Sequence, residues 1–426
     1  MTAPPAPRPV AVVGAGAAGL MAAWHAARAG ASVVLLERTV DGGRKILISG
    51  GGRCNVLPAE ERAGAFVTDS PPRLLHRLLR GWPLAEQRSF FESELRLPLT
   101  LEAESAKLFP TSGKARDVRD ALVGAVRASG ARLWFGARVT DVRPDPGGWT
   151  LHLDGAPPLE AGAVVVATGG LSVPATGSDG FGLDLAARLG HVVHPTYPAL
   201  TPLTAEPSPH VHLAGVSLVA EVRAPSARPR FQTRGGFLFT HRGWSGPAVL
   251  DASHLATRAR LGIGAEAPAA GRLLVRWSPR SRDDWEADLR TGSGSVARVL
   301  AAHLPERLAQ QLCAESAVPA ERALAQLRRN ERMALLELLC DYPLPWTGDE
   351  GYKKAEVTGG GVALSEVDPH TLQSHRTPGL FFCGEVLDAF GPIGGHNFQW
   401  AWSTGRAAGR GAVAYCMGPQ ARPGDV

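Results

Sequence analysis

The sequence predicts an α/β fold. A discontinuous Rossmann-like domain that binds a dinucleotide is interrupted by an inserted β domain and a helical subdomain. Three observations predict it. The first forty residues run strand, glycine-rich turn, helix, strand, acid. Near His191 the texture changes to alternating apolar residues and many prolines. After about Glu356 strands and glycine loops return, and a helical stretch follows them.

Pro9–Val13 reads as a short buried strand, and Gly14-Ala15-Gly16-Ala17-Ala18-Gly19 follows it. The helix from about Ala17 to Ala29 stops at Gly30, and Ser32–Leu36 forms a second strand ending at Glu37. This is the dinucleotide fingerprint in its full βαβ context. Gly14 permits the tight turn, Gly16 lets backbone approach a pyrophosphate, and Gly19 lets helix and sheet pack closely. The N–H groups around Ala17 and Ala18 open the helix and face an anion with a positive dipole end. Glu37 lies eighteen residues past Gly19, where a carboxylate accepts hydrogen bonds from both ribose hydroxyls. It would repel a 2′-phosphate, so NADP is disfavoured here, while FAD and NAD both remain open. Arg38 is taken as a further cofactor neighbour.

The next segment points to FAD. Gly42-Gly43-Arg44-Lys45 and Ser49-Gly50-Gly51-Gly52-Arg53-Cys54-Asn55 carry too many glycines for regular structure. Backbone N–H groups with Arg44, Lys45 and Arg53 suit a ligand longer than one nucleotide, and Arg44 can fork onto a phosphate.

Helices are expected over 71–80, 84–95 and 114–129, with Lys107–Lys114 as a loop. Arg132–Phe135 reads as a strand, and Arg138–Arg143 and Trp149–Leu153 as a hairpin across Pro144–Gly148. Val139, in the first of those hairpin strands, is an expected cofactor contact. Ala163–Ala167 is wholly apolar and ends in Thr168-Gly169-Gly170. In the insert, Val296–His303, Pro305–Glu315 and Glu321–Cys340 show helical spacing. Leu380–Cys383 is a strand, and Phe398–Ala414 a helix. The expected domains are therefore 8–190 with 345–415 for the cofactor, 191–278 for the β domain and 279–344 for the helical subdomain. Residues 1–7 and 416–426 are expected to be disordered tails.

A chain of 426 residues is too long for one ordinary core. The net charge is +5, arginine greatly outnumbers lysine, and no block of like charges occurs. Clustered basic residues would mark a nucleic-acid track, so no such partner is expected, nor a membrane. The five cysteines are odd in number and widely spaced, which fits reduced thiols, a cytoplasmic location and no metal. The apolar run Val10–Ala27 resembles a signal segment, but the fingerprint within it explains it better.

Four longer motifs carry a resemblance. GAGAAGLMAAWHAARAG with LLER, GRKILISGGGRCN, FTHRGWSGPAVL and GLFFCGEVLDAFGPIGGHNFQWAWSTGRAAG together resemble one bacterial family. It is the BaiN-like or aminoacetone-oxidase-like NAD(P)/FAD-dependent oxidoreductases, and the match runs from about Pro9 to about Arg410. The resemblance implies FAD but names no substrate. It implies that Thr168, Gly169 and Gly170 lie close to FAD, and that Gly384-Glu385 closes the site with Glu385 on a ribityl hydroxyl. Asp388 is the reserve for that role. Gly391-Pro392-Ile393-Gly394-Gly395-His396-Asn397-Phe398 repeats the physics of the first glycine turn. Its helix N-terminus, with Gly394, Gly395, Asn397 and Phe398, suits the pyrimidine end of the isoalloxazine.

Three residues are candidate catalysts. His396 stands where the family more often has tyrosine, and an imidazole there could titrate near neutrality. His241 and Arg242, in the glycine-rich turn after Phe237–Phe239, are expected to touch substrate or the flavin edge. The expected activity is hydride exchange between FAD and a small organic substrate, bound between cofactor domain and insert. With no second GxGxxG, NAD(P)H would reduce the flavin only transiently. Oxidase chemistry and C=C reduction both stay open. The competing readings are a flavin-bound sensor without turnover and an RNA-modifying flavoenzyme.

Overall fold

The computed structural model describes residues 8–264 and 271–418, so the expected tail at 1–7 and residues 419–426 fall outside the described residues. The chain forms two compact units, one from residues up to 196 and from 357 onward, the other from 197 to 356.

The first unit is built on a five-stranded parallel sheet. Its strand order is Leu380–Phe382, Ala163–Val166, Val10–Val13, Val33–Glu37, Arg132–Phe135. The three central strands are apolar at nearly every position because both faces are covered. Leu380–Phe382 comes from the far end of the sequence, so the chain must return to complete the sheet. One core joins this sheet to the fingerprint helix Ala17–Arg28 and the closing helix His396–Met417. Those two helices touch along glycine: a Cβ on Gly405 would lie 2.4 Å from the Ala18 carbonyl oxygen, and one on Gly409 2.3 Å from that of Ala22. Val139–Asp145, Gly148–Leu153 and Ala156–Ala161 form an antiparallel three-stranded sheet.

The second unit has a seven-stranded sheet, ordered Tyr342–Pro343, Leu274–Arg276, Ser217–Ala224, Phe231–Phe239, Gly243–Ser245, Leu203–Thr204, Gly348–Asp349. A single core contains both its strands and its helices, including Phe237, Trp244, Trp277, Trp285 and Leu335. The expected β domain and helical subdomain thus share one core within this unit.

Several local expectations are corrected. Lys107–Pro110 is a strand paired with Leu99–Glu102, not a loop. Arg44–Ile48 makes a short helix inside the supposedly irregular segment. Pro247–Leu261 is a helix that sequence periodicity hid, because its buried face is Ala, Ser, Thr and His rather than large apolar residues. The helix expected from Glu321 begins at Arg329, where Glu331 accepts the Arg328 N–H at 2.8 Å. Residues 416 and 417 belong to the closing helix, not to a tail. No described helix is long and apolar enough to cross a membrane.

Candidate FAD-binding site

The parallel strand Val10–Val13 delivers the fingerprint turn. Gly14 has φ +101°, and a Cβ there would sit 2.5 Å from the Ala167 carbonyl oxygen. A Cβ on Gly19 would meet the Gly14 carbonyl at 1.8 Å, so both positions are closed to any side chain. Gly16 is different: nothing lies within 4 Å of its would-be Cβ. The helix that follows has no side-chain cap, which leaves its first N–H groups at Ala17 and Ala18 without a capping acceptor. Glu37 steadies the turn. Its carboxylate accepts the Ala15 N–H at 2.8 Å and Thr39 N–H and Oγ1–H at 2.8 and 2.7 Å.

Beside it, Gly50, Gly51 and Gly52 are all left-handed, at φ 55°, 66° and 83°. Side chains added at Gly51 and Gly52 would meet only space. Asn55 Oδ1 is buried with no partner. An uncapped helix start, an open glycine, a left-handed glycine run and an orphaned acceptor fit a long ligand bearing phosphates and hydroxyls. The charged residues near this loop already have protein partners. Arg44 donates to Asp41 at 2.6 Å. Arg53 pairs with Glu102 at 2.9 Å and lies 4.0 Å over the Phe109 ring. Arg38 pairs with Asp179. Cys54 is fully buried, and burial pushes its thiol up to about 12, so it carries no thiolate near neutral pH.

The strand ends meet in a polar knot. Glu385 accepts Lys45 Nζ at 2.5 Å, Thr358 N–H at 3.0 Å, Thr358 Oγ1–H at 2.9 Å and the Ser172 hydroxyl. Both carboxylate oxygens accept hydrogen bonds from within the protein. Lys45 also donates to Ser172 Oγ at 2.6 Å. Gly169 is left-handed, and a Cβ on Gly170 would lie 2.4 Å from Thr358 Oγ1. Thr168 Oγ1 would in turn block a Cβ on Gly182 at 2.2 Å. Gly384 has φ +78° and donates to Thr404 Oγ1 at 2.9 Å. Asp388, the reserve for the ribityl role, caps the segment at Thr68–Ser70. One of its oxygens accepts Thr68 Oγ1–H, Asp69 N–H and Ser70 N–H at 2.9 Å each. Val139 is buried in its strand opposite Leu153.

The second glycine-rich helix start is packed, not open. A Cβ on Gly395 would lie 2.6 Å from the Leu57 carbonyl carbon, at φ +96°. Gly394 is also left-handed, at φ +124°, with Lys107 3.5 Å from its would-be Cβ. Asn397 clamps the loop by accepting the Gly391 N–H and donating to the Gly391 carbonyl, both at 2.9 Å. Phe398 stacks on Trp402 at 5.3 Å. His396 is buried edge-on to Phe66, with Nδ1 unpartnered. Burial, with Arg62 nearby, pushes its pKa down to about 4. The imidazole is therefore neutral near pH 7, against the expectation of titration there. His241 and Arg242 lie on an exposed turn of the second unit, where Arg242 faces Glu350 at 3.6 Å.

Sequence reasoning missed Ser172, Thr358 and Thr404, which hold the strand ends in place. Of these, only Thr404 left a signal. A threonine inside a helix four residues after Trp400 is a common back-bonding position, and its hydroxyl donates to the Trp400 carbonyl at 2.6 Å.

Parallel sheet, glycine cradle and returning strand define a flavoprotein oxidoreductase with a Rossmann FAD-binding fold. The chain belongs to the family described as HI0933-like protein Rossmann domain, whose model matches residues 8–411. It is 32% identical to a ribosomal RNA dihydrouridine synthase of Escherichia coli, over 95% of this chain and 97% of that protein. It is 30% identical to a 3-dehydro-bile acid delta(4,6)-reductase of Clostridium scindens, over 95% of this chain and 98% of that protein. In structure it is similar to a 3-ketosteroid delta1-dehydrogenase of Sterolibacterium denitrificans, with TM-score 0.51, 13% identity, and coverage of 96% of this chain and 99% of that one. That last likeness concerns the fold alone.

Proposed function

We propose that this protein is an FAD-dependent reductase that saturates a C=C bond conjugated to a carbonyl, and that the bond is C5=C6 of uridine in RNA. The observation that carries the reading is end-to-end similarity to relatives named for two such reductions. Dihydrouridine is uridine with two hydrogens added across C5=C6, next to the C4 carbonyl. A delta(4,6)-reductase likewise acts on ring double bonds. One O=C–C=C unit is common to both chemistries.

FAD would supply the hydride, and NAD(P)H would restore it from the same side as the substrate. Gly16, Ala17, Ala18 and the left-handed run Gly50–Gly52 would hold the phosphates. Asn55 Oδ1 would accept a cofactor donor. Lys45 and Glu385 would shape the ribityl region through Ser172 and Thr358. Among the three candidate catalysts, His396 is assigned a positioning role, since a neutral buried imidazole is a poor acid. His241 is the candidate proton donor to the alkene carbon that does not take the hydride, and Arg242 the candidate partner for the carbonyl.

Folded geometry also supports an RNA partner, contrary to the expectation from charge spacing. Arg73, Arg77 and Arg80 are exposed on the helix Pro72–Arg80. Their spacing of four and three places them on one face. None is paired with a carboxylate among the described residues.

The test is anaerobic reduction with NADH or NADPH, then mixing with a ribosomal RNA transcript and analysis of its nucleosides. Dihydrouridine should form with loss of reduced flavin, and His241→Gln should slow that step about 10²–10⁴-fold at unchanged flavin content. If a steroid enone reoxidises the flavin and RNA does not, the alkene chemistry stands and the RNA substrate falls. Should neither nicotinamide bleach the flavin, the reductase reading fails.

A further inference from the structure

The first unit carries a cavity of about 570 Å³ that is lined by none of Gly16, Gly50, Gly51, Gly52 or Glu385. Trp24 and His25 of the fingerprint helix, Trp82, Phe90, and Arg406 and Arg410 of the closing helix line it. Arg406 and Arg410 lie ten and fourteen residues past His396. At about 1.5 Å per residue, that is roughly 15 and 21 Å along the helix from its glycine-rich start.

The walls are aromatic. Trp24 meets Phe90 edge-on at 5.0 Å, and Trp82 meets Phe90 at 5.4 Å. The rim is cationic. Arg406 Cζ lies 5.1 Å over Trp82, and its Nη1 donates to the Gly81 carbonyl at 2.9 Å. Arg28 lies 5.8 Å over Trp24. Glu86 and Glu94 also line the cavity, leaving the three arginines in excess. Neither Arg28 nor Arg410 is paired with a carboxylate among the described residues.

Two features are unexplained by packing. His25 Nε2 is buried with no hydrogen-bond partner, a costly state unless a ligand supplies one. Its pKa is pushed down to about 3 by burial and by Arg406 and Arg410, so it presents a neutral ring. Phe90–Glu94 forms a π-turn, a form of helix that is uncommon and concentrated at functional sites. Gly81 and Trp82 directly follow the arginine face at 73, 77 and 80.

We propose that this cavity receives one unstacked base of an RNA strand, with flanking phosphates on Arg410 and Arg28. The inference rests on the reading of RNA as substrate. Trp24 is the partly exposed ring of this wall, backed by the buried Phe90 and Trp82. An aromatic ring beside arginines is a combination that single-stranded RNA recognition uses, with stacking for the base and charge for the backbone. His25 Nε2 supplies a polar contact to the base edge. The site anchors the strand and takes no part in hydride transfer.

The test uses the full FAD-loaded chain and a labelled single-stranded RNA 12-mer, with binding read by anisotropy across a salt series. Arg410→Glu and Trp24→Leu are compared with the parent, and flavin content and melting temperature serve as folding controls. Each variant should weaken RNA binding tenfold or more, and Arg410→Glu should also lower the slope of log K against log salt by about 1. If the parent binds RNA and both variants match it, the cavity assignment is overturned and the RNA substrate survives. If the parent does not bind RNA, both readings fall. If UMP alone binds as tightly as the strand, the occupant is a free nucleotide and the anchoring role is overturned.

Discussion

The two glycine-rich helix starts of the first unit look alike in sequence and differ in structure. At the first, Gly16 opens onto space and no side chain caps the helix. At the second, Gly395 is pressed against Leu57 and the loop is clamped by Asn397. Glycine leaves open space in one case and admits the protein's own backbone in the other. The same residue pattern therefore predicts opposite consequences of substitution.

The largest effect is expected at the packed start. Gly395→Ala places a Cβ 2.6 Å from the Leu57 carbonyl carbon and forces φ +96° on an alanine. The backbone conformation alone costs about 1–3 kcal/mol, and the collision adds to it. A lowered melting temperature with lost flavin is the expected result. A variant that melts like the parent would break the comparison.

Gly16→Val tests the open start. Gly16 has φ −75° and ψ −172°, an extended conformation that valine adopts, and its Cβ has room. The apoprotein should melt within about 1 kcal/mol of the parent, as substitutions in open positions do. The purified protein should nevertheless be colourless, because the branched side chain fills the phosphate approach. Retention of the flavin band near 450 nm would show that the open space is not the cradle.

Much of the first start was legible in the sequence because a fingerprint works through local geometry. Three glycines, a helix and a following acid fix their own positions. The polar knot around Glu385 was not legible. Lys45, Ser172, Thr358 and Glu385 are spread over 340 residues and stand on different elements, a short helix, loops and a strand outside the parallel sheet, so only the folded chain brings them together. Gly405 and Gly409 were equally silent, since their need for glycine comes from the carbonyls of Ala18 and Ala22 on another helix. Arg73, Arg77 and Arg80 form no block along the chain and share a face only through the turn of the helix Pro72–Arg80.

Acid should find the packed start before the open one. His396 stands at the second start, with its folded pKa pushed from 6.5 down to about 4. His25, elsewhere on the fingerprint helix, is pushed from 6.5 to about 3. The unfolded chain therefore takes up protons first as pH falls. Their contribution to stability is complete above pH 6.5 and is lost progressively between 6.5 and about 3–4. Each pKa unit corresponds to about 1.4 kcal/mol. Melting temperature should fall as pH is lowered from 7 to 4, and His396→Phe should flatten part of that slope. An unchanged slope would mean that His396 is protonated in the folded chain, so that its surroundings are wetter than its burial implies.

The smallest effect separates clamping from approach. Asn397→Ala removes two hydrogen bonds to Gly391 while leaving every glycine in place. Loss of those bonds should cost about 1–3 kcal/mol, seen as a modest drop in melting temperature. Flavin should remain bound, because the open start at Gly16 is untouched. Its absorption band and its reduction by nicotinamide are the informative readouts. If the loop at 391–397 serves only the protein's own packing, both stay as in the parent despite the lower stability. A changed band or reduction rate at full flavin occupancy would show that the clamped loop also sets the environment of the isoalloxazine, and the two starts would then differ in how they hold one ligand rather than in whether they hold it.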